Sequence, residues 1–139
     1  MAATIERLTP RRGHGTVTEY PVAASTKIYA GTIVATNSSG YAGPVTAGAF
    51  ATALLGVAEE TADNSHGQAG DVRVRVRRQC AFKLDNATTN PVVQATTGLK
   101  AGIVDDVTVN NGTGATLDPG VTVIRVENVE PDGVWVWID

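Results

Sequence analysis

The chain has 139 residues, with 14 acidic side chains against 11 basic ones and a formal charge of −3. That length suits one compact domain rather than two, and the acidic balance argues against the broad basic footprint of a nucleic-acid binder. Hydrophobic residues make up 42% but aromatic residues only 5%, so the core must be built from valine, alanine, isoleucine and leucine, an alphabet that favours strands.

No apolar run of about 18 residues is present, and the opening MAATIERLTPRRGHG lacks the apolar centre of a secretory signal. The expectation is a soluble, cytosolically made protein with no membrane partner. Cys80 is the single cysteine and the only histidines are His14 and His66, so neither a disulfide scaffold nor a metal site is expected.

Residues 1–20 carry Pro10, Gly13, Gly15 and the basic side chains Arg7, Arg11 and Arg12, without an apolar period that would bury them. They read as an extended N-terminal arm. It is either a disordered tail or a strap lying on a neighbouring subunit or partner.

Residues 21–139 read as the β domain. Lys27 to Tyr29 and Thr32 to Thr36 are short strand-like runs, followed by the turn cluster Asn37-Ser38-Ser39-Gly40. The alanine-rich stretch at 46–56 is ambiguous between strand, loop and short helix. Leu54 to Glu59 reads as a strand and Thr61 to Gly70 as a surface loop.

The stretch DVRVRVRRQCAFKL, closing at the turn signal Asp85-Asn86, is the strongest strand in the chain. Successive side chains point to opposite faces, so Val72, Val74 and Val76 share the buried one while Arg73, Arg75 and Arg77 share the other, roughly 7 Å apart. The segment GIVDDVTV gives a further strand pair or a bulged strand, and NNGTGATLDPG, residues 110–120, is loop chemistry.

The terminal segment VTVIRVENVEPDGVWVWID holds the clearest hairpin. A three-residue loop of Pro131, Asp132 and Gly133 would set Glu130 against Val134, Asn128 against Val136 and Val126 against Ile138. Ile124, Val126, Val134, Val136 and Ile138 then face the core, and Trp135 and Trp137 lie beside Glu127 and Val129 on the opposite face. Seven or more short strands separated by turns imply an all-β fold, a single antiparallel β-barrel or β-sandwich, with no sign of a parallel sheet.

Catalytic chemistry finds little support. The adjacent carboxylates Glu59-Glu60 and Asp105-Asp106 would point to opposite sides of a strand, Ser65-His66 has no nucleophile elbow, and the glycine-rich stretches lack the G-K-[ST] and the following helix of a phosphate loop. The chain is expected to be neither an enzyme nor a holder of a cofactor. Cys80 is expected to be a buried, inert thiol rather than one activated by its arginine neighbours.

The arginine strand lacks the interleaved aromatics that stack nucleic-acid bases. Two readings stay open for it: docking on a protein partner, or pairing with the acidic segment 101–139, where seven carboxylates stand against Arg125 alone. Trp135 and Trp137 pack under the arm, mark a contact surface, or are simply buried inside the barrel.

In order, IYAGTIVATNSSGYAGPV, LLGVAEETADNS, GDVRVRVRRQCAFKLDNA, GIVDDVTV and DGVWVWID resemble the capsid cement, or head decoration, proteins of tailed bacteriophages, a small all-β family. The similarity spans roughly residues 27–109 and the C-terminal hairpin. Cys80, where a small or apolar residue is expected, and residues 110–120 depart from the pattern.

The resemblance implies a non-catalytic virion protein, assembled in the host cytoplasm. It would sit on the outer face of the head, commonly as a homotrimer, and bridge major capsid protein subunits after expansion. Arg7, Arg11, Arg12, Arg73, Arg75, Arg77, Trp135 and Trp137 are then the candidate capsid or intersubunit contacts. The competing reading is a β-sandwich recognition module for carbohydrate or a host surface, with the two tryptophans as its stacking platform.

Overall fold

Alternating valines and polar residues, punctuated by glycine-rich turns, leave the backbone no regular solution except strands. The computed structural model describes residues 2–117 and 124–139. It contains β1 (Arg11–Arg12), β2 (Thr16–Pro21), β3 (Thr26–Ile28), β4 (Ile33–Thr36), β5 (Ala42–Pro44), β6 (Leu54–Ala58), β7 (Ala62–Asn64), β8 (Arg73–Arg78), β9 (Cys80–Asn86), β10 (Gly102–Ile103), β11 (Thr108–Asn110), β12 (Ile124–Glu130) and β13 (Gly133–Ile138), with a single 3₁₀ turn at Gln94–Thr96. The fold is all-β.

The strands form a curled sheet in the order β10-β11-β9-β13-β12 with β1 added on β9, a second sheet in the order β2-β8-β6-β4-β5, and a two-stranded sheet β3-β7. The main core lies between the two large sheets, where Ile33, Leu54 and Val57 meet Phe82, Leu84, Ile103, Ile124, Val136 and Ile138. A second cluster of Val22, Ile28, Val34, Leu55, Ala58, Ala62, Val74 and Val76 fills the space toward the small sheet. Strands β4 and β6 are therefore buried on both faces, which explains why they read as continuous apolar runs.

Within β6 the alternation slips at Gly56, so that Leu54 and Val57 serve one cluster and Leu55 and Ala58 the other. Gly56 has φ of 142°, and a Cβ there would run into the Arg77 carbonyl of β8. Only glycine lets the two backbones approach this closely.

Several expectations change in the structure. The stretch 70–84 is two strands in two sheets, broken at Gln79, whose φ is 63° and whose N–H donates to the Ile138 carbonyl at 2.6 Å. Part of the expected loop 61–70 is β7, a strand too short to show a period, paired with β3. GIVDDVTV is a strand pair, and β11 runs parallel to β9. That contact becomes possible because the long excursion from Asn86 through β10 brings the chain back in the same direction.

The terminal hairpin has a two-residue loop, with Glu130 against Gly133 and Val129 against Val134. A bulge at Glu127 then shifts the register, giving Val126 opposite Val136 and Ile124 opposite Ile138. The bulge restores the expected core face for Ile124 and Val126, but Val129 packs against the core instead of joining the tryptophans. The loop assigned to 110–120 is described as far as Leu117; the remainder, with the start of the terminal segment up to residue 123, lies outside the described residues.

Candidate interaction surface

The arm is extended, and it lies on its own domain. The Ala3 N–H donates to the Asp106 carboxylate at 3.0 Å, and the Arg7 N–H donates to the Ala30 carbonyl at 3.0 Å. The Thr9 hydroxyl donates to the Gly31 carbonyl, and the Pro10 carbonyl accepts from the Lys83 N–H at 3.0 Å. β1 then pairs with β9, and β2 pairs with β8 across all six of its residues. A strand thus straddles the expected boundary between residues 20 and 21.

Close packing of the arm depends on Gly31. It has φ of 83°, and a Cβ there would strike the Arg7 carbonyl. The outer side of the arm is left bare: Ile5 is 73% exposed and Leu8 is 96% exposed. Sequence reasoning missed this pair, although large apolar residues in a segment without a burial period were the available signal.

Arg73, Arg75 and Arg77 of β8 each have a carboxylate of the same chain. Arg73 faces Glu19 at 3.7 Å, Arg75 bonds Glu60 at 3.1 Å, and Arg77 bonds both Glu59 and the His14 carbonyl. The Glu60 hydrogen bond and charge push the Arg75 guanidinium above its ordinary pKa. None of these partners lies in the acidic segment 101–139, so of the two open readings the pairing with that segment is not what the structure shows. The cross-strand neighbour β2 and the chain just beyond β6 are closer in space. Such solvent-facing pairs contribute about 0–1 kcal/mol each.

The acidic segment has other work. Lys83 bonds Asp132 at 2.7 Å and Glu130 at 3.3 Å, and Arg125 bonds Glu127 at 2.6 Å. The Asp132 and Glu130 bonds raise the Lys83 pKa. Asp106 is buried, and burial pushes its pKa up even as it anchors Ala3.

Trp135 and Trp137 lie on the outer face of β13, the side away from the buried Val134, Val136 and Ile138. The Trp135 ring is covered by the Arg12 guanidinium at 3.9 Å, and its indole N–H donates to Glu130 at 2.7 Å. Trp137 is half-buried with Arg125 at 5.9 Å from its ring. Of the readings left open, packing under the arm describes Trp135.

The remaining candidates are also placed. Arg7 reaches Asp85 at 3.4 Å, and Arg11 is exposed and donates to the Gly13 carbonyl. Cys80 is buried, and burial raises its thiol pKa. Among the described residues no group of three or more His, Cys, Asp or Glu side chains converges on a point, and no helix is long and apolar enough to cross a membrane.

A polar depression of about 540 Å³ lies beside Asp85 and Asp105. Its asparagines are already committed: Asn86 bonds the Val92 backbone, and Asn90 and Asn110 both donate to the Thr113 carbonyl. No protein-family model, curated protein or solved structure matches this chain.

Proposed function

We propose that the chain is a structural virion protein, a cement or decoration protein that binds the outer surface of a bacteriophage capsid. In this role it works as a homotrimer and stabilises the expanded head by bridging major capsid protein subunits, with no bond-breaking step. The order of sequence segments supports the reading, and one structural observation carries it. The arm is held extended by backbone hydrogen bonds while Ile5 and Leu8 point into solvent, 73% and 96% exposed. Large apolar side chains presented on a fixed backbone favour association, because burying them against a partner requires little further ordering.

The charge pattern fits adhesion as well. Arg7, Arg11 and Arg12 sit on the same segment as the bare apolar pair, giving a contact with a hydrophobic centre and a basic rim. Repetition over a shell turns modest contacts into lasting attachment, since one engaged site raises the effective concentration at the next.

Co-sedimentation of the full chain with empty expanded heads tests the proposal. Wild type is expected to pellet with the heads, and the double variant Ile5→Ser, Leu8→Ser to bind them at least about thirtyfold more weakly, roughly 2 kcal/mol for a hot-spot pair. Equal retention of the variant removes the arm from the contact. Failure of wild type to bind removes the cement reading, and a saturable change of tryptophan fluorescence with glycans would install the recognition module in its place.

A further inference from the structure

Leaving aside the two-residue β1 added on β9, each large sheet has two end strands. In the curled sheet, β12 is covered by bonds from Gly98 and Ala101 to its carbonyls and from the Val126 N–H to Leu99, while β10 exchanges both bonds between Ile103 and Leu117. In the second sheet, β5 is covered where Ala42 bridges Val22 and accepts from the Ala23 N–H. β2 alone among these four has no strand or loop along its outer edge among the described residues, and Thr16 to Glu19 are exposed.

The bonding pattern identifies the free groups. The Val22 N–H donates to Val72 at 2.9 Å, in register with the pairs Tyr20 with Val74, Thr18 with Val76 and Thr16 with Arg78. Antiparallel pairs alternate between bonded and non-bonded. The intervening residues Val17, Glu19 and Pro21 therefore turn their backbone groups away from β8. Pro21 has no N–H to offer, and the Glu19 carbonyl receives only a 3.3 Å contact from Arg73.

We infer that this edge pairs with the same edge of a second copy of the chain, across a two-fold axis at Thr18. Val17 then lies opposite Glu19 of the second copy, and the reverse holds by symmetry. The two outward N–H groups of each chain meet the two outward carbonyls of the other, closing four backbone hydrogen bonds. Shifting the axis to Glu19 would bring two carboxylates face to face, and shifting it to Val17 would set Glu19 against the turn at Gly15.

The side chains suit the same register. On one face the row reads Arg75, Glu19, then Val17 and Arg77 of the second copy, so the glutamate keeps Arg75 on one side and meets an apolar side chain, not a second carboxylate, on the other. On the other face Thr18 meets Thr18 of the second copy. Pro21 ends the ladder, and because the two-fold uses the same edge of both chains, the seam joins a pair rather than an open fibre. The seam uses neither Ile5 nor Leu8 and is a two-fold contact separate from the three-fold one of the capsid reading, so it stands whether or not that reading does and doubles either a monomer or a trimer.

Two readouts on the full chain test the seam. Residue-resolved amide exchange is expected to show Val17 and Glu19 slowing by about tenfold or more from dilute to concentrated solution, while Thr18 and Tyr20 stay protected throughout. In sedimentation, Val17→Pro removes an outward N–H without touching the β8 ladder, as an edge strand tolerates, and is expected to halve the mass of the concentrated species. Amide exchange at Val17 and Glu19 that stays fast and independent of concentration overturns the inference. So does a Val17→Pro protein with wild-type mass at every concentration.

Discussion

Asp106 shows how one side chain couples the arm to solvent conditions. Burial raises its pKa above the ordinary 3.8, the Ala3 N–H works in the opposite direction, and the neighbouring Asp105 charge adds to the rise. An acid with a raised native pKa binds more protons folded than unfolded. Its contribution to stability is therefore complete below the ordinary value and is lost as pH climbs through the raised one. Glu130 and Asp132 have the opposite sign. The Trp135 and Lys83 hydrogen bonds lower Glu130, and Lys83 lowers Asp132. Their contribution is complete above their ordinary values of 4.5 and 3.8 and is lost as pH falls through the lowered ones. Asn at position 106 keeps an oxygen for the Ala3 N–H but has no charge to desolvate. Asp106→Asn is thus expected to melt at or above the wild-type temperature near pH 7, an advantage that disappears at about pH 3, where both side chains are neutral. A variant that melts below wild type at neutral pH and matches it in acid would refute the assignment.

At the scale of elements, the corner at Gln79 decides the architecture. Apolar residues occupy the even positions from Val72 to Leu84 apart from Arg78, so alternation alone describes one long strand. The left-handed residue at 79 rotates the chain so that Val74 and Val76 serve the small-sheet cluster while Cys80, Phe82 and Leu84 serve the main core. Positive φ is tolerable for glutamine and costly for a β-branched side chain. Gln79→Val is expected to lower unfolding free energy by about 1–2 kcal/mol in urea titration, with Gln79→Gly close to neutral. Equal effects of the two substitutions would show that the corner's backbone is not what they perturb. The buried face of β8, the hairpin before Tyr41 and the core side of the terminal hairpin were legible because each follows from period-two alternation and turn chemistry. The Gln79 corner, the bulge at Glu127 and the parallel contact of β11 were not, because each depends on one dihedral or on a partner distant in sequence.

For the whole molecule, the arm is the point at which sequence and structure diverge most. Its basic residues and lack of period were visible, but its path over Ala30, Gly31 and Lys83 was not, because backbone bonds from irregular segments leave no side-chain pattern. The ladder's own carboxylates were hidden for a related reason: Glu19, Glu59 and Glu60 reach the arginines through strand pairing that composition does not encode. A consequence is that the arm has two mechanically different halves. Residues 2–10 touch the domain through a few single hydrogen bonds, whereas β2 is a full edge strand beside Val74 and Val76. Deleting residues 1–9 is expected to leave cooperative unfolding within about 1–2 kcal/mol of wild type. Deleting residues 1–19 strips most of β2 from β8 and is expected to cost on the order of 3 kcal/mol or more in lost ladder bonds and exposed valine surface. Urea titrations of the two truncations, followed by tryptophan fluorescence, separate these outcomes. Equal stability of the two would mean that β2 does not belong to the folded domain.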